Sequence, residues 1–407
     1  MKFENYNFGR EIKLNISKLG YKKPTDIQFK AIPPILKGED VMAIAQTGTG
    51  KTAAFAIPVL HLLQKSRRAA EKGIRCIVMV PTHELALQIT DVFETIGNQT
   101  GIRILCIHGG VEQAPQIAEL ENGVDVLVAT PGRVFDLVSQ GFLKLDSIEI
   151  LILDEADHML DLGFIKDIRD LIKFLPHKRQ TLFFSATLND TIKKLAYSLV
   201  HNPIRIQISP KDPVAKNIEH FVAYIDMDDK RFFLERLVLE NPESKILVFV
   251  RTKVRAERVY KTLERATIKS LTLHSDKVQT ERAKIMTDFR SGEAKVMIAT
   301  DISARGIDIP DVDFVVNYDL PEQVENYVHR VGRTGRGTKK GLAYSFCSPE
   351  EKIILAEIEE FLGKHISVLE ISKKNYTATI ELAEDNEDDW KTLMKTAETQ
   401  DRPRKKK

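Results

Sequence analysis

The chain has 407 residues, of which 43% are hydrophobic and 29% charged, and its 60 basic and 58 acidic side chains leave a net charge of +2. This composition excludes an intrinsically disordered chain, and the length favours two domains over one. Because the bulk charge is balanced, any nucleic-acid site has to come from a local patch of basic side chains.

Short apolar runs alternate with longer helical patterns along the first half of the chain. The runs are nearly continuous, as in parallel strands covered on both faces. They predict strands at 41–45, 74–80, 102–107, 124–129, 148–153, 181–185 and 204–208. Helical patterns lie between them, for example at 52–64, 84–97 and 189–199. The alternation predicts a doubly wound, parallel α/β sheet over residues 1–208.

The pattern stops at residues 209–216, where two prolines and few large apolar side chains predict an interdomain linker. It then restarts and predicts a second α/β domain over residues 217–370. The strands predicted there are 219–225, 245–250, 270–274, 295–299, 313–318 and 341–346, with helices that include 228–240, 253–265 and 279–291.

Residues 371–407 lose this period; residues 381–389 are mostly acidic, and the sequence ends in RPRKKK. A charged, flexible, solvated tail is the favoured interpretation, and a weak tether for RNA is the alternative.

The cysteines and the amino-terminal segment bear on the compartment. Cys76, Cys106 and Cys347 lie in or beside apolar runs without metal-binding spacing, which predicts buried packing and suits a reducing cytoplasm. The amino-terminal stretch has no apolar segment of signal-peptide type, and no run of about 18 apolar residues predicts a membrane span. We therefore expect a cytoplasmic protein, with a monomer as the default.

The stretch AQTGTGKT at 45–52 lies between a predicted strand and a predicted helix, which is the setting of a phosphate-binding loop. Gly48 and Gly50 let backbone N–H groups turn toward phosphates, Lys51 neutralises the β- and γ-phosphates, and Thr52 holds Mg²⁺. Ala45 stands where the strict pattern has glycine, so a glycine-rich turn without a ligand stays open for this motif alone. The ATP contacts predicted from the loop are Ala45, Gln46, Thr47, Gly48, Thr49, Gly50, Lys51 and Thr52.

A second motif, IEILILDEAD at 148–157, is an apolar strand that ends in adjacent carboxylates. Carboxylates at the end of a buried strand are costly unless a cation or donors satisfy them. We predict that Asp154 binds Mg²⁺ and that Glu155 orients and deprotonates the attacking water. Together with the loop upstream, this motif predicts ATP hydrolysis.

The letters DEAD at 154–157 resemble the signature of the DEAD-box RNA helicases, and the match extends over roughly residues 3–350. The resemblance implies two tandem RecA-like domains, as in compact bacterial members of the family. GYKKPTDIQ at 20–28 is similar to the family's adenine-reading motif, although Asp26 replaces its second proline. By this resemblance Gln28 reads the adenine edge and Phe3 stacks nearby.

Further family motifs imply contacts with the RNA backbone. PTHELALQ at 81–88 resembles one of them, with His83 where arginine is usual, and Gly109–Gly110 and TPGR at 130–133 resemble two others. Small residues, hydroxyls and a guanidinium suit backbone contacts, and the candidates are Thr82, Gly110, Thr130 and Arg133. SAT at 185–187 implies that Ser185 and Thr187 couple hydrolysis to strand separation.

The second half carries its own set of motifs. They are VFVRTK at 248–253, QTER at 279–282, ATDISARGID at 299–308 and HRVGRTGR at 329–336, with Ser275 replacing a usual glycine before the second. The RNA contacts that they imply are Arg251, Thr252, Arg282, Thr300 and Gly306. Asp308 is implied near the ATP ribose. The three arginines of the last motif, spaced three apart between glycines, predict a poor helix and a rigid anion clamp, with a solvated basic loop as the alternative. The resemblance implies that Arg333 and Arg336 reach the γ-phosphate.

The resulting prediction is an ATP-dependent RNA helicase with little sequence preference, whose ATP site is divided between the two domains. A DNA helicase or translocase and an ATP-dependent RNA clamp with little unwinding remain open. A noncatalytic scaffold is disfavoured, because Lys51, Glu155, Arg333 and Arg336 are all present. By analogy alone, ribosome assembly, RNA decay or cold growth is the setting, with ribosomal or RNA-decay proteins as partners.

Overall fold

A computed structural model describes residues 2–46, 48–66, 73–208, 214, 217–304, 309, 312–335 and 340–381. The described residues divide into two compact units, the first up to residue 208 and the second from residue 214 onward. The predicted linker at 209–216 lies outside the described residues except for Val214.

The first unit contains a seven-stranded sheet with the order β3-β4-β2-β5-β6-β1-β7, and every strand pair in it is parallel. Its strands are β1 (Val41–Ala45), β2 (Cys76–Met79), β3 (Ile104–Ile107), β4 (Val126–Ala129), β5 (Ile150–Leu153), β6 (Gln180–Ser185) and β7 (Ile204–Ile208). All seven coincide with the apolar runs of the sequence.

Helices cover both faces of this sheet. A 3₁₀ turn at Phe3–Asn5 precedes α1 (Arg10–Lys18), α2 (Asp26–Leu36), α3 (Lys51–Lys65), α4 (His83–Gly97), α5 (Ala114–Glu121), α6 (Pro131–Ser139), α7 (Ala156–Asp161), α8 (Ile165–Ile172) and α9 (Asp190–Leu199). Alternate residues of one strand enter different core clusters, as Val41 and Ala43 do on one face and Met42 and Ile44 on the other. Because both faces are buried, β1 has to be apolar at every position.

The second unit has the same construction, with the strand order β10-β11-β9-β12-β13-β8-β14 and parallel pairing. Its strands are β8 (Ile218–Tyr224), β9 (Ile246–Val250), β10 (Ser270–Leu273), β11 (Val296–Thr300), β12 (Phe314–Asn317), β13 (Gly341–Cys347) and β14 (Ser367–Val368). Its helices are α10 (Lys230–Glu240), α11 (Lys253–Arg265), α12 (Gln279–Ser291), α13 (Asp301–Ala304), α14 (Val324–Val331) and α15 (Lys352–Leu362), with a 3₁₀ turn at Pro349–Glu351. The predicted doubly wound α/β fold is thus confirmed in both halves.

Residues 373–381 form a helical segment that packs on the second unit, so the predicted loss of regular structure is wrong for these residues. The Tyr376 ring lies 4.9 Å from that of Phe233, and its hydroxyl donates to Asp229 Oδ2 at 2.8 Å. Thr379 Oγ1 accepts a hydrogen bond from Arg236 Nη1 at 2.7 Å. These contacts hold a segment whose charged sequence has little apolar periodicity; residues 382–407 lie outside the described residues.

Within the part of the chain that the structure describes, no helix combines the length and the apolar character that crossing a bilayer takes.

Candidate functional site

Three loops that carry the predicted nucleotide-site residues follow neighbouring strands of the first sheet. The loop 46–50 follows β1, the carboxylates at 154–157 follow β5, and residues 185–187 end and follow β6, which lies between β1 and β5. The carboxyl ends of parallel strands form one edge, where ligands of open α/β sheets bind. The sheet order therefore brings the three motifs together.

The loop after β1 has the backbone that its glycines predict. Gly48 and Gly50 have φ values of 80° and 90°, in the left-handed region that favours glycine. Thr49 Oγ1 donates to the Gln46 carbonyl at 2.7 Å and closes the turn. Ala45 is the buried last residue of β1, and Gly50 leads directly into α3. The first N–H groups of this helix lack partners within it, which suits an anion. Thr47 lies outside the described residues.

The environment of Lys51 indicates that this loop binds an anion. It is only 6% exposed, and none of the described residues accepts a hydrogen bond from its Nζ. A buried ammonium without a partner is costly, and a phosphate group at the adjacent helix start would satisfy it.

Gln28 joins helix α2 to this loop. Its Oε1 accepts from the Thr25 N–H at 2.9 Å, and its Nε2 donates to the Gly50 carbonyl at 3.2 Å. A Cβ at Gly50 would lie 2.5 Å from Gln28 Nε2, so a larger residue there would displace this amide. Phe3 lies in the hydrophobic core, where it is 4% exposed, and its ring centroid is 6.2 Å from that of Tyr21.

The two carboxylates after β5 are buried. Asp154 is 2% exposed and accepts from the Glu155 N–H at 2.9 Å. Burial raises the pKa of Asp154 to about 6, while the Lys51 ammonium acts in the opposite direction. Such a carboxylate, with the half-buried Thr52 hydroxyl at the loop, fits a hard divalent cation such as Mg²⁺.

Glu155 has a left-handed backbone, with φ 51° and ψ 49°, which is uncommon for a residue with a side chain. Holding it there costs about 1–3 kcal/mol, and such strain is concentrated at functional sites. Glu155 Oε2 lies 3.5 Å from Nδ1 of the buried His158, one turn farther along α7. The strained backbone sets the position of Glu155, and its carboxylate lies beside this imidazole without a hydrogen bond between them.

The sequence did not single out Asp157, which links the carboxylate motif to the SAT motif. Its Oδ2 accepts from the N–H groups of Ala186 and Thr187 at 3.2 and 3.0 Å and from Thr187 Oγ1 at 3.1 Å. The Ser185 hydroxyl is buried and has no hydrogen-bond partner among the described residues. The sequence could have pointed to Asp157 as the last carboxylate of DEAD. Its partners could not be predicted, because they come close only when β5 and β6 are neighbouring strands.

The predicted RNA contacts of the first unit lie on the other side of the same sheet edge. Thr82, Gly110 and Thr130 follow β2, β3 and β4, which are adjacent. Thr82 caps α4, accepting from the Leu85 N–H at 3.3 Å, and Gly110 has a φ of 76°. Arg133 is buried and donates from Nη2 to the Val111 carbonyl at 2.9 Å, whereas Nη1 has no acceptor among the described residues.

His83, which replaces the family's arginine, packs on His108 with ring centroids 4.8 Å apart. His108 Nδ1 lies 2.9 Å from the Gly109 carbonyl, so Nδ1 carries the proton in that contact. Two imidazoles therefore lie beside the glycine pair, at the position where arginine is usual in the family motif.

In the second unit, the predicted RNA contacts also lie at the carboxyl ends of three neighbouring strands. Thr300 ends β11, Arg251 and Thr252 follow β9, and Arg282 lies on α12 after β10, and these three strands are adjacent. Thr252 caps α11, accepting from the Arg255 N–H at 3.1 Å, and Arg282 Nη2 donates to the Ser303 carbonyl at 3.4 Å. Ser275 is exposed after β10. The other predicted contacts here, Gly306, Asp308 and Arg336, lie outside the described residues.

The arginine motif at 329–336 differs from the prediction at its start. Residues up to Val331 are helical, and Arg330 makes a bidentate ion pair with Asp301 at 2.6 and 2.7 Å. Arg330 Nη1 also donates to the Asp319 carbonyl at 2.6 Å. Arg330 is thus a buried structural residue and no part of an anion clamp. Arg333 is buried one turn later, and its Nε donates to the His329 carbonyl at 3.3 Å.

Comparisons with known proteins match both units. The sequence profile described as DEAD/DEAH box helicase matches residues 25–195, and the helicase conserved C-terminal domain profile matches residues 229–338. ATP-dependent RNA helicase RhlB of Shewanella frigidimarina is 40% identical over 379 residues, covering 91% of this chain and 87% of the relative. ATP-dependent RNA helicase CshA of Listeria monocytogenes is 38% identical over 370 residues, with coverages of 91% and 70%.

Among solved structures, Saccharomyces cerevisiae Dbp5 bound to RNA and ADP BeF3 superposes with a TM-score of 0.82 at 31% identity. That likeness covers 95% of this chain and 99% of the yeast chain. Sequence and structure agree over both sheets, and the chain belongs to the DEAD-box helicase family.

Proposed function

We propose that this chain is an ATP-dependent RNA helicase that binds the RNA backbone, hydrolyses ATP and separates short duplexes locally. The observation that carries the proposal is the buried Lys51 ammonium, which has no partner among the described residues and lies at a phosphate-type loop. Two buried carboxylates, Asp154 and Glu155, stand at the same sheet edge.

The nucleotide would lie along the loop after β1. Backbone N–H groups of residues 46–50 and the start of α3 would receive the phosphates, with Lys51 neutralising their charge. Gln28, already fixed against Gly50, would present its amide to the adenine edge, with Phe3 supporting it from the core. Mg²⁺ held by Thr52 and Asp154 would offset the charge of the β- and γ-phosphates.

For hydrolysis, Glu155 would orient the attacking water and accept its proton, a role that its fixed backbone and its contact with His158 support. Arg333 and Arg336 would donate to the γ-phosphate as its charge redistributes, and Asp308 would bind the ribose. Asp157, through its bonds to residues 186 and 187, would transmit a change at the γ-phosphate to Ser185 and Thr187.

RNA would be bound through its phosphates and sugars along the β3-β4-β2 and β10-β11-β9 sides of the two sheet edges. The proposed contacts are Thr82, Gly110, Thr130, Arg133, Arg251, Thr252, Arg282, Thr300 and Gly306. Because backbone contacts position a strand without reading its bases, we expect little sequence preference. Three free cysteines, two of them buried, support a reducing cytoplasm as the compartment.

The deciding experiment is an ATPase assay of wild type and Glu155→Gln with no polymer, with single-stranded RNA and with DNA of matched sequence. We expect strong, RNA-selective stimulation that the substitution abolishes. Equal stimulation by DNA would instead identify a general nucleic-acid translocase.

A strand-displacement assay separates unwinding from clamping. With a duplex of about ten base pairs beside a single-stranded region, a helicase releases the strand in an ATP-dependent way. An RNA clamp would hydrolyse ATP and retain RNA while the duplex stays intact.

A further inference from the structure

Lys230, the first residue of α10, is a completely buried lysine that the proposed reaction does not use. Its exposed fraction is 0%, and its Nζ donates to the Tyr318 carbonyl at 2.7 Å and to Glu351 Oε2 at 2.5 Å. Burial lowers the pKa of Lys230, and the Glu351 carboxylate opposes this effect. A buried charge persists only where such partners satisfy it.

Glu351, 2% exposed, accepts from four donors. Oε2 receives Lys230 Nζ and the Ser348 N–H at 3.1 Å, and Oε1 receives the Leu320 N–H at 3.0 Å and Arg251 Nη2 at 3.2 Å. A carboxylate has about four lone-pair positions, so these donors occupy them all. Glu351 therefore has little freedom to turn away from Arg251.

The sheet order explains why these residues meet. Strands β9, β12 and β13 are neighbours, and Arg251, Leu320 and Glu351 each belong to the segment that follows one of them. The group thus lies at the carboxyl edge of the second sheet, next to the β10-β11-β9 side to which the RNA contacts are assigned.

The guanidinium group of Arg251 is held along one edge by protein acceptors, while part of the side chain is exposed. Its backbone N–H donates to Asp319 Oδ2 at 3.0 Å, and Nη2 also donates to the Leu320 carbonyl at 3.3 Å. The side chain is nevertheless 34% exposed. Its Nε lies 3.7 Å from Oε1 of the exposed Glu322, a longer contact.

We infer that Glu351 is a positioning residue for RNA binding: with Lys230 as its buried counter-ion, it holds Arg251 by one edge so that the other edge meets an RNA phosphate. The inference rests on the proposed function and adds residues outside the motifs that suggested it. An arginine held in advance loses less side-chain freedom on binding, and this increases affinity.

The test is a double-mutant cycle of Arg251→Ala and Glu351→Gln in the full chain, with a labelled single-stranded RNA of 12 nucleotides and a non-hydrolysable ATP analogue. Each single change is expected to raise the Kd for RNA about fivefold and to flatten the salt dependence of log Kd by about 0.7. The double variant should bind no more weakly than Arg251→Ala, with an unchanged KM for ATP. Additive losses, or a wild-type salt slope in Glu351→Gln, would overturn the inference.

Two further variants separate positioning from general damage. Glu322→Gln removes the exposed carboxylate near Arg251 and should leave the Kd for RNA within about twofold, as expected for a solvent-exposed pair. Lys230→Met combined with Glu351→Gln removes both buried charges, so it should fold stably and still bind RNA weakly. Wild-type RNA affinity in that variant would show that the carboxylate does not position Arg251.

Failure of the proposed function gives a different result. If wild type neither binds RNA nor is stimulated by it, the function itself is wrong. If wild type binds RNA and Arg251→Ala binds it equally well, only the positioning role is refuted.

Discussion

Asp154 shows how a single residue trades stability for function. Burial raises its pKa to about 6, against about 4 for an unfolded chain, so the folded protein binds the proton more tightly. Stability therefore falls as the pH rises from about 4 to 6, and at pH 7 the ionised carboxylate costs about 3 kcal/mol. We predict that Asp154→Asn raises the unfolding free energy of the nucleotide-free protein by up to this amount while abolishing ATP hydrolysis.

Thermal unfolding at several pH values checks this prediction. At pH 7 the Tm should rise by up to about 10 °C. The gain should vanish below about pH 3, where the wild-type carboxyl is protonated in both the folded and the unfolded state. Asn at the exposed Asp146 is the matched control and should leave the Tm unchanged at either pH. A lower Tm for Asp154→Asn at pH 7 would contradict the cost assigned to burial.

His83 marks the position where this chain departs from its family within an RNA motif. Imidazole is mostly neutral near pH 7, whereas guanidinium is charged and offers a fork of donors to a phosphate. We predict that His83→Arg lowers the RNA concentration for half-maximal ATPase stimulation by about threefold and steepens its salt dependence by about 0.7.

His177→Arg is the control for the added charge. His177 is exposed and precedes β6, so it lies toward the opposite edge of the sheet from the RNA candidates. It should leave the salt dependence unchanged. An equal effect of both substitutions would mean that general charge, and not a contact at residue 83, governs RNA affinity.

At the scale of elements, the helical segment 373–381 is held to the second unit mainly by the Tyr376 side chain, because its own sequence has little apolar periodicity. Tyr376 packs on Phe233, donates to Asp229 and accepts from the Asp226 N–H at 3.1 Å. We predict that Tyr376→Ala lowers the unfolding free energy by about 2–3 kcal/mol and that Tyr376→Phe, which keeps the ring, lowers it by about 1 kcal/mol.

Urea unfolding measures both changes, with Lys374→Ala on the exposed side of the same segment as control. Equal stability of Tyr376→Ala and wild type would show that the segment adds nothing to the second unit.

Sequence-based prediction fails for elements that lack an apolar pattern, such as the segment 373–381, and for contacts that depend on strand order. Buried strands such as β1 and β9 are continuous apolar runs, so their positions were predicted closely. The two-residue strand β14 is exposed and carries no such pattern. Asp157 and Glu351 were missed for another reason: their partners follow neighbouring strands, and strand order is not visible in local sequence. The phosphate loop was predictable because its residues are contiguous.

For the whole molecule, each sheet has its own hydrophobic core, so each unit can fold independently. In the first unit, core clusters on both faces consist entirely of residues before position 209. We expect residues 1–208 alone to unfold cooperatively in calorimetry and to bind ATP through Gln28, Lys51 and the loop after β1.

This isolated unit should nevertheless lack RNA-stimulated hydrolysis, since Arg251, Arg282 and Arg333 belong to the second unit. Arginines that act on the γ-phosphate contribute about 10³–10⁵ in rate in other NTPases, and a loss of this order is expected at saturating RNA. Arg333→Ala in the full chain should reproduce most of the loss in kcat while RNA still binds. If residues 1–208 hydrolyse ATP as fast as the full chain with RNA, one unit holds the complete catalytic site, and the second serves only to bind RNA.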